Sequence, residues 1–266
     1  MASIHSSPGR TKFGADPVAY DLARPEYSEA LFGWLAERAR LNAQSDCLEI
    51  GAGTGHATLP VLAMPVRYLM AIEPDPRLAA RLREKAGHDP RLVVEEERFE
   101  TAIIPQAFFD VAFAATSFHW VPRMKSLAKV RDALKPGGRF AMWWHVYHNA
   151  AKPDAFDIAT THLFNGLEQE PEATSGRPPF ALDAASRTGE LRSAGFTDIE
   201  HQLFEQQLTF SPERLAALYG TFSRVRMAPK ETRGHLLSEV SGIAREQFGG
   251  EVRRTIITSA FIARRP

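Results

Sequence analysis

Short apolar stretches alternate along the chain with segments whose apolar residues recur every three or four positions. The short stretches have the length and content of buried strands and cover residues 46–50, 68–74, 91–97, 109–116 and 139–146. The other segments have the period of amphipathic helices and cover residues 28–41, 76–87 and 122–135. Strands that alternate with helices in this way predict an α/β protein with a parallel, doubly wound sheet.

The second half of the chain is less regular, yet it supplies two more strands. Residues 196–210 follow a helical segment at 183–194, and residues 255–263 alternate with the period of a strand. These two strands complete a seven-stranded, mainly parallel sheet, and we expect the last strand to be inserted antiparallel.

Two insertions separate the late strands. The first contains a helix near 154–168, and the second is helical, most clearly over 235–248. Because both insertions lie between strands of one sheet, we expect them to form a cap over its carboxyl edge. The expected division is an N-terminal segment and helix that covers the site (1–45), a core (46–146), a cap insertion (147–182), a helix and strand of the core (183–210), a helical cap insertion (211–250) and a final core strand (251–266).

The charge and hydropathy of the chain limit its partners. Lys and Arg number 32, as do Asp and Glu, so the formal net charge at pH 7 is zero. A protein that neutralises nucleic-acid phosphates usually carries an excess of cations, so we expect no nucleic-acid partner. The apolar runs are far shorter than a membrane span requires, so we expect no membrane partner. The composition leaves the oligomeric state open.

The single cysteine, Cys47, lies inside the first predicted strand, where it packs as a small apolar residue. One cysteine forms no internal disulfide, which suits a reducing compartment. The first dozen residues are polar and lack the apolar region of a signal peptide. We therefore expect a cytoplasmic protein. The sequence offers no cluster of His, Cys and Asp with the spacing of metal ligands, so no metal is predicted.

The first predicted strand ends in three glycines at alternate positions, Gly51, Gly53 and Gly55. Glycines in such a turn allow positive φ and let a ligand approach the main chain closely. A dinucleotide-binding loop would place its third glycine at position 56, where this chain has His56. The loop therefore predicts a ligand site of a different kind. A tight turn without a ligand is the alternative.

Two acidic residues flank this loop. Glu49 lies two residues before the first glycine, and Glu73 lies at the end of the second strand, about 20 residues beyond the loop. A carboxylate at the second position can accept hydrogen bonds from both hydroxyls of a ribose. The alternative for Glu73 is a solvated charge at the end of a strand.

The loop sequence Glu49–Gly55 (E-I-G-A-G-T-G) resembles the first motif of class I S-adenosylmethionine-dependent methyltransferases. Four further segments resemble that family in the same order: Y-D-x-x-R-P-x-Y at 20–27, F-D-V at 109–111, F-H-W at 118–120 and L-K-P-G-G at 134–138. The F-H-W segment is similar to the trans-aconitate-methyltransferase-like branch, the methyltransferase type 11 proteins. The resemblance covers about residues 14–146 and implies a Rossmann-like sheet with S-adenosyl-L-methionine as cofactor.

The resemblance also implies which residues bind the cofactor. In the family, the acid at the position of Glu49 helps to hold the amino end of the methionine part, directly or through water, and the segment around Tyr20 and Arg24 closes over the ligand. Tyr20 could instead be packing in an N-terminal helix. The implied cofactor-binding set is Tyr20, Arg24, Glu49, Gly51, Ala52, Gly53, Thr54, Gly55, Glu73, Pro74, Phe99, Glu100 and Ala115.

The residues beyond the fourth strand are the candidates to bind the methyl acceptor. His119 stands where the resembling enzymes bring residues up to the transferred methyl group, and we expect it to position the substrate rather than to act as a base. Packing of His119 with Trp120 is the structural alternative. The predicted acceptor pocket comprises His119, Trp120, Trp144, Tyr147 and Tyr219. The cap aromatics could equally form the core of the cap itself.

The sequence thus predicts a methyltransferase that moves a methyl group to a small-molecule carboxylate, hydroxyl or amine by in-line displacement. It does not identify the acceptor. Two alternatives stand beside this prediction. One is a protein that binds the cofactor without turnover, and the other, disfavoured by the position of the third glycine, is a nucleotide-dependent oxidoreductase.

Overall fold

The computed structural model describes residues 17–149, 151–165, 167 and 179–266. Within this part of the chain one seven-stranded sheet forms the centre of the molecule, with the order β3-β2-β1-β4-β5-β7-β6. Its strands are β1 (Asp46–Ile50), β2 (Tyr68–Ile72), β3 (Leu92–Glu95), β4 (Phe109–Ala115), β5 (Leu134–Val146), β6 (Thr197–Phe210) and β7 (Val252–Arg264). Strands β1 to β5 pair in parallel, and β7 pairs antiparallel with both β5 and β6. The predicted mainly parallel α/β sheet with an antiparallel last strand is confirmed.

Helices cover both faces of the sheet and the region beyond its carboxyl edge. They are α1 (Pro17–Ala23), α2 (Glu29–Ala39), α3 (Thr58–Leu62), α4 (Pro76–Ala86), α5 (Arg123–Ala133), α6 (Ala155–Thr160), α7 (Ala184–Ser193), α8 (Pro212–Gly220), α9 (Ser223–Met227) and α10 (Lys230–Phe248). Of the helices in the described ranges, none combines the length and the apolar character that crossing a bilayer demands.

Several element boundaries differ from those predicted. Strand β5 begins at Leu134 rather than at Arg139, because Leu134 pairs with Phe109 before an irregularity shifts the register to Arg139 beside Val111. Helix α3 has only five residues and contains Pro60, which a first turn tolerates because its amides lack helical partners anyway. The helix predicted near 154–168 is α6 followed by a 3₁₀ turn that ends at Phe164. Residues 166 and 168 of that prediction lie outside the described part of the chain.

The side chains of the strands bury two apolar layers, one on each face of the sheet. Neighbouring residues of β5 show the alternation, since Trp143 belongs to one layer and Trp144 to the other. A third apolar cluster lies among α6, α8, α10 and the adjoining ends of β6 and β7, and it includes Phe156 and Tyr219. The aromatic residues of the insertions therefore have two locations. Phe156 and Tyr219 pack within the cap, whereas Tyr147 lines the cavity described below.

A buried arginine joins the last strand to this third cluster. The guanidinium of Arg254 donates to Asp154 Oδ2 at 2.6 Å, to Tyr219 Oη at 2.9 Å and to the Tyr147 carbonyl at 2.8 Å, and it also pairs with Asp157. Asp154 and Asp157 form a capping box at the start of α6. A buried charge that loses its partners is strongly destabilising. Arg254 therefore fastens the helical insertions to the sheet.

Candidate cofactor and acceptor site

A large open cavity lies at the carboxyl edge of the sheet, where β1, β2 and β4 end. Predicted site residues that line it are Tyr20, Arg24, Gly51, Ala52, Gly53, Thr54, Glu73, Pro74, Phe99, Ala115, His119, Trp120 and Tyr147. Ligands of open α/β sheets bind at this edge. The structure thus brings these predicted site residues, which lie between positions 20 and 147 of the chain, together around one cavity.

The glycine loop forms the floor of the cavity and folds tightly back on β2. Gly51 and Ala52 donate their amides to the Ile72 carbonyl at 2.8 and 3.1 Å. Gly51 has φ +72°, and a Cβ there would lie 2.5 Å from the Cβ of Ser117, so no side chain fits. Gly53, with φ +58°, has no atom within 4 Å of such a Cβ. The main chain at Gly53 is therefore exposed to the cavity, as close approach of a ligand requires.

Glu73 connects the glycine loop with the end of β2. Its Oε2 accepts the Gly53 amide at 2.8 Å, and its Oε1 accepts the Asp75 amide at 2.9 Å. The residue is buried and lines the cavity. A carboxylate has about four acceptor positions, which is more than these two amides use. This arrangement suits a pair of hydroxyls.

Glu49 lies behind the loop rather than in the wall of the cavity. Thr58 donates its hydroxyl to Glu49 Oε2 at 2.6 Å, and Glu49 Oε1 has no hydrogen-bond partner in the described residues. Burial, with the neighbouring charge of Glu73 in addition, raises the pKa of Glu49 to about 8. A buried acceptor without a partner is rare and fits a carboxyl group that receives a ligand's amino group, directly or through water.

Four other predicted site residues also lie outside the lining. Gly55 packs against α4, because a Cβ there would come within 2.6 Å of Leu82 Cδ1. Glu100 is partly exposed next to Phe99. Trp144 lies beneath His119, as described below. Tyr219 is in the cap cluster and lines a second, smaller cavity with Phe164 and Arg224.

Asp21, which the sequence analysis did not select, holds α1 against the glycine loop. Its carboxylate accepts the Thr54 hydroxyl at 2.9 Å and Lys85 Nζ at 2.7 Å, and it lies 3.1 Å from His56 Nε2. Burial raises the pKa of Asp21, but hydrogen bonds from His56, Lys85 and Thr54 outweigh it and hold the pKa well below its usual range. Glu26 contacts His56 Nδ1 at 3.2 Å. The carboxylates flanking its ring overcome burial and raise the pKa of His56.

We expect Asp21→Asn to loosen α1 without unfolding the protein. The change removes the negative charge that Lys85 and His56 share, so amide exchange over residues 17–27 is expected to rise about tenfold or more, as loss of one or two charge-assisted bonds predicts. Hydrogen-exchange mass spectrometry measures it. Glu84→Gln, which removes an exposed partner of Arg81, is the control. Equal exchange in both variants would contradict this role of Asp21.

Arg24 reaches over the cavity from the end of α1. Its guanidinium donates to Tyr147 Oη and to the Thr221 carbonyl, both at 3.3 Å, and it lies over the rings of Tyr20, Tyr147 and Phe222. All of these partners are uncharged, and Arg24 Nε has no hydrogen-bond partner among the described residues. A largely enclosed cation without a counter-charge favours a ligand that brings one.

His119 follows β4 in a 3₁₀ turn, Phe118–Trp120, and lines the cavity. Trp144 Nε1 donates to His119 Nδ1 at 3.0 Å. Rings of Trp120 and Phe180 lie 4.7 and 6.0 Å from the imidazole centre. Burial, reinforced by the cations Arg24 and Arg123, lowers the pKa of His119 to about 3. The histidine is therefore neutral at physiological pH.

Sequence reasoning also missed Tyr27 and His145, which line the cavity and connect the segment after α1 to the sheet. Tyr27 Oη is hydrogen-bonded to Thr116 Oγ1 at 2.8 Å, and its ring stacks on His145 at 4.3 Å. His145 Nδ1 pairs with Thr258 Oγ1 at 2.9 Å, and burial lowers its pKa to about 3. Tyr27 was the last residue of the Y-D-x-x-R-P-x-Y segment, so its motif was a signal. His145 had none, because it lies in the middle of an apolar strand.

The fold and the site together define an α/β protein with a ligand-sized cavity at the carboxyl edge of its sheet. Residues 48–140 match a family described as a methyltransferase domain. An uncharacterized methyltransferase of Schizosaccharomyces pombe is 26% identical over 265 residues, which cover 95% of this chain and 96% of that protein. An S-adenosyl-L-methionine-dependent Diels-Alderase of Talaromyces variabilis is 38% identical over 190 residues, which cover 69% of this chain and 62% of that protein.

Among solved structures, a candidate type II methyltransferase from Anaeromyxobacter dehalogenans has a TM-score of 0.64 at 24% identity, covering 91% of this chain and 97% of that one. It supports the fold. These matches support a class I S-adenosylmethionine-dependent methyltransferase, with residues 48–140 as its methyltransferase domain. The oxidoreductase alternative is therefore set aside. The narrower similarity to trans-aconitate methyltransferases is not confirmed by these matches and stays a prediction.

Proposed function

We propose that this methyltransferase acts on a small molecule bound between the cofactor and the helical insertions. The observation that supports the proposal is the cavity itself, whose lining includes the cofactor-binding candidates Glu73 and Phe99 as well as the acceptor candidates His119, Trp120 and Tyr147. Ser223 of α9 lines it, and the carbonyl of Thr221 holds Arg24, so the second insertion reaches the cavity. A concave, aromatic pocket of this kind suits a small acceptor better than a polymer.

The chain offers a group for each part of the cofactor. Glu73 would accept hydrogen bonds from the ribose hydroxyls, and the buried ring of Phe99 would pack against the adenine. The open main chain at Gly53 would lie against the nucleoside. Arg24, with its unpartnered Nε, would pair with the carboxylate of the methionine part, while Glu49 Oε1 would receive its amino group. When bound, the cofactor supplies an electrophilic methyl group on a sulfonium.

The residues around the acceptor orient it and exclude water rather than move protons. Tyr20, Arg24 and Tyr147 close one side of the cavity, and α1 is fastened there through Asp21. Orientation and water exclusion account for much of the rate enhancement when the leaving group is already good. The protein therefore needs no catalytic triad.

An acceptor screen tests the proposal. The protein is incubated with S-adenosylmethionine and pools of small carboxylates, phenols, hydroxy compounds and amines, and S-adenosylhomocysteine is measured by mass spectrometry together with the methylated product. Calorimetry is expected to show binding of S-adenosylmethionine and S-adenosylhomocysteine at one site and no binding of NAD. Binding of NAD with no binding of either sulfur compound would contradict the assignment.

His119→Gln is expected to keep turnover within about tenfold of the native rate and to leave its pH profile flat. The glutamine amide supplies one acceptor for Trp144 and one donor for the acceptor molecule, but it is no base near neutral pH. Steady-state kinetics from pH 6 to 9 measures this. His119→Phe, which keeps an aromatic ring without hydrogen-bonding groups, is the control and should lose more activity. A loss of about 100-fold or more in the glutamine variant, with cofactor affinity intact, would indicate a general base.

A second candidate function keeps the cofactor but does not consume it. The Talaromyces relative, 38% identical over its matched region, is named as a Diels-Alderase that depends on S-adenosyl-L-methionine. In such a reaction, a neutral donor such as His119 would polarise a carbonyl group of the reacting molecule. Incubation with polyene carbonyl substrates distinguishes the two functions, because cyclisation leaves S-adenosylmethionine unchanged while methyl transfer produces S-adenosylhomocysteine in equal amount.

A further inference from the structure

Trp144 was predicted to line the acceptor pocket. In the structure it lies outside the lining of the cavity, and its indole N–H points at His119. The indole N–H of Trp144 can only donate, and it lies 3.0 Å from His119 Nδ1. Nδ1 must therefore be the acceptor nitrogen, without a hydrogen. In a neutral imidazole the hydrogen then resides on Nε2.

The other groups around His119 favour the same state. The rings of Trp120 and Phe180 enclose the imidazole, and the nearby charged groups are the cations Arg24 and Arg123. Within the described ranges no carboxylate is hydrogen-bonded or ion-paired with His119, and no partner occupies its Nε2. The imidazole thus meets no group that would favour its protonation, and its remaining N–H is available to the cavity that His119 lines.

We propose that Trp144 is a positioning residue that fixes His119 as a neutral Nε2–H donor, and that the methyl acceptor presents an oxygen lone pair to this donor. The second part rests on the proposed function. An ammonium group has no lone pair to offer, and a donor histidine withdraws no proton from a hydroxyl. The site therefore favours acceptors that carry a carboxylate, enolate or carbonyl oxygen and need no deprotonation by His119.

The first experiment reads the tautomer directly. In protein labelled with 15N at histidine, long-range proton–nitrogen correlation spectra show which ring nitrogen carries hydrogen, and the signals of His119 are those lost in His119→Gln. We expect an Nε2–H ring that remains neutral down to about pH 5. In Trp144→Phe, which keeps an aromatic ring but has no N–H, we expect a mixture of tautomers and a ring that titrates at higher pH. An Nδ1–H ring in the native protein would overturn the proposal.

Trp143→Phe is the matched control. Trp143 is the neighbouring residue of the same strand, but it faces the opposite layer, stacks on Phe113 and has an indole N–H without a partner among the described residues. Both substitutions remove one indole from the core, but only Trp144→Phe also removes a hydrogen bond. Only the change at Trp144 should alter the His119 spectrum. If Trp143→Phe changed the His119 spectrum in the same way as Trp144→Phe, the change would result from altered core packing, and the proposal would be overturned.

The second experiment tests the acceptor class with probes of matched shape. Protein saturated with S-adenosylhomocysteine is titrated with benzoate or with benzylamine, and the Nε2 proton of His119 is followed. We expect a saturable shift with benzoate and none with benzylamine. A shift with benzylamine alone would overturn the acceptor class while leaving the tautomer result intact. The tautomer of His119 is measured in the protein without an acceptor. That result therefore remains valid even if no methyl transfer is found.

With an acceptor in hand, Trp144→Phe is expected to lower kcat/KM about 3- to 10-fold, the effect of one neutral hydrogen bond. The loss should appear mainly in KM for the acceptor, with affinity for S-adenosylmethionine unchanged. A loss confined to cofactor affinity would contradict a role through His119.

Discussion

Glu73→Ala is expected to weaken binding of S-adenosylmethionine by about 100-fold or more while the protein stays folded. Two hydrogen bonds from ribose hydroxyls to a charged acceptor contribute about 1.5–3 kcal/mol each, and every 1.4 kcal/mol is a factor of ten in affinity. Calorimetric titration of the native and variant proteins measures the change. Glu97→Ala, which removes an exposed acid just beyond β3, is the control and should bind normally.

Glu73 also organises the loop, since it accepts the amides of Gly53 and Asp75. Glu73→Gln is an intermediate change, because its amide oxygen still accepts one of these amides while its amide nitrogen meets the other as a second donor. We expect an affinity between those of the native protein and the alanine variant. An unchanged dissociation constant in Glu73→Ala would mean that the carboxylate is only a strand-end charge.

Glu49→Gln is expected to remove most of the decline in stability that the native protein shows between pH 5 and pH 8. The pKa of Glu49 is about 8 in the folded state and close to 4.5, its ordinary value, when the chain is unfolded. Between these values the unfolded chain carries the charge and the folded chain holds the proton. The contribution to stability is thus fully present below about pH 4.5 and is lost as the pH rises toward 8.

Three pH units at about 1.36 kcal/mol each set an upper limit of about 4 kcal/mol for this effect. Urea unfolding of the native protein and of Glu49→Gln at pH 5 and pH 8 measures it, and the native protein should lose more stability than the variant. Glu97→Gln, exposed beyond β3, should behave like the native protein. Parallel pH profiles for the native protein and Glu49→Gln would show that Glu49 is ionised when folded. The glutamine variant should also bind the cofactor more weakly, because its side chain cannot ionise when the amino group of the cofactor binds.

The sequence predicted the sheet and the cofactor end of the cavity because local patterns specify both. A buried strand that ends in glycines and a second strand that ends in an acid place Gly53 and Glu73 side by side once the strands are parallel. The structure adds that the Gly53 amide donates to Glu73 at 2.8 Å. That contact follows from the strand order and not from either segment alone.

The acceptor end was less predictable, because its geometry depends on contacts between residues far apart in the chain. Trp144 was expected to line the pocket, but its indole supports His119 from below, 25 positions away. Asp21 stood in a recognised segment, yet its partners Thr54 and Lys85 are 33 and 64 positions away. The hydrophobic periodicity of a sequence does not indicate which distant residues will pair. Tyr219 was predicted to line the acceptor pocket but packs in the core of the cap. The sequence does not distinguish these two roles for an aromatic residue.

The position of β7 has a consequence for the order in which the molecule can be completed during synthesis. Strand β6 has β7 as its neighbour in the sheet and pairs with no other strand there. Its 14 residues are synthesised before residues 252–264, so their backbone groups lack these strand partners until β7 has been made. Arg254, which fastens the helical insertions, belongs to the same late segment. The cofactor half of the sheet can assemble early, but closure over the acceptor has to await the synthesis of β7.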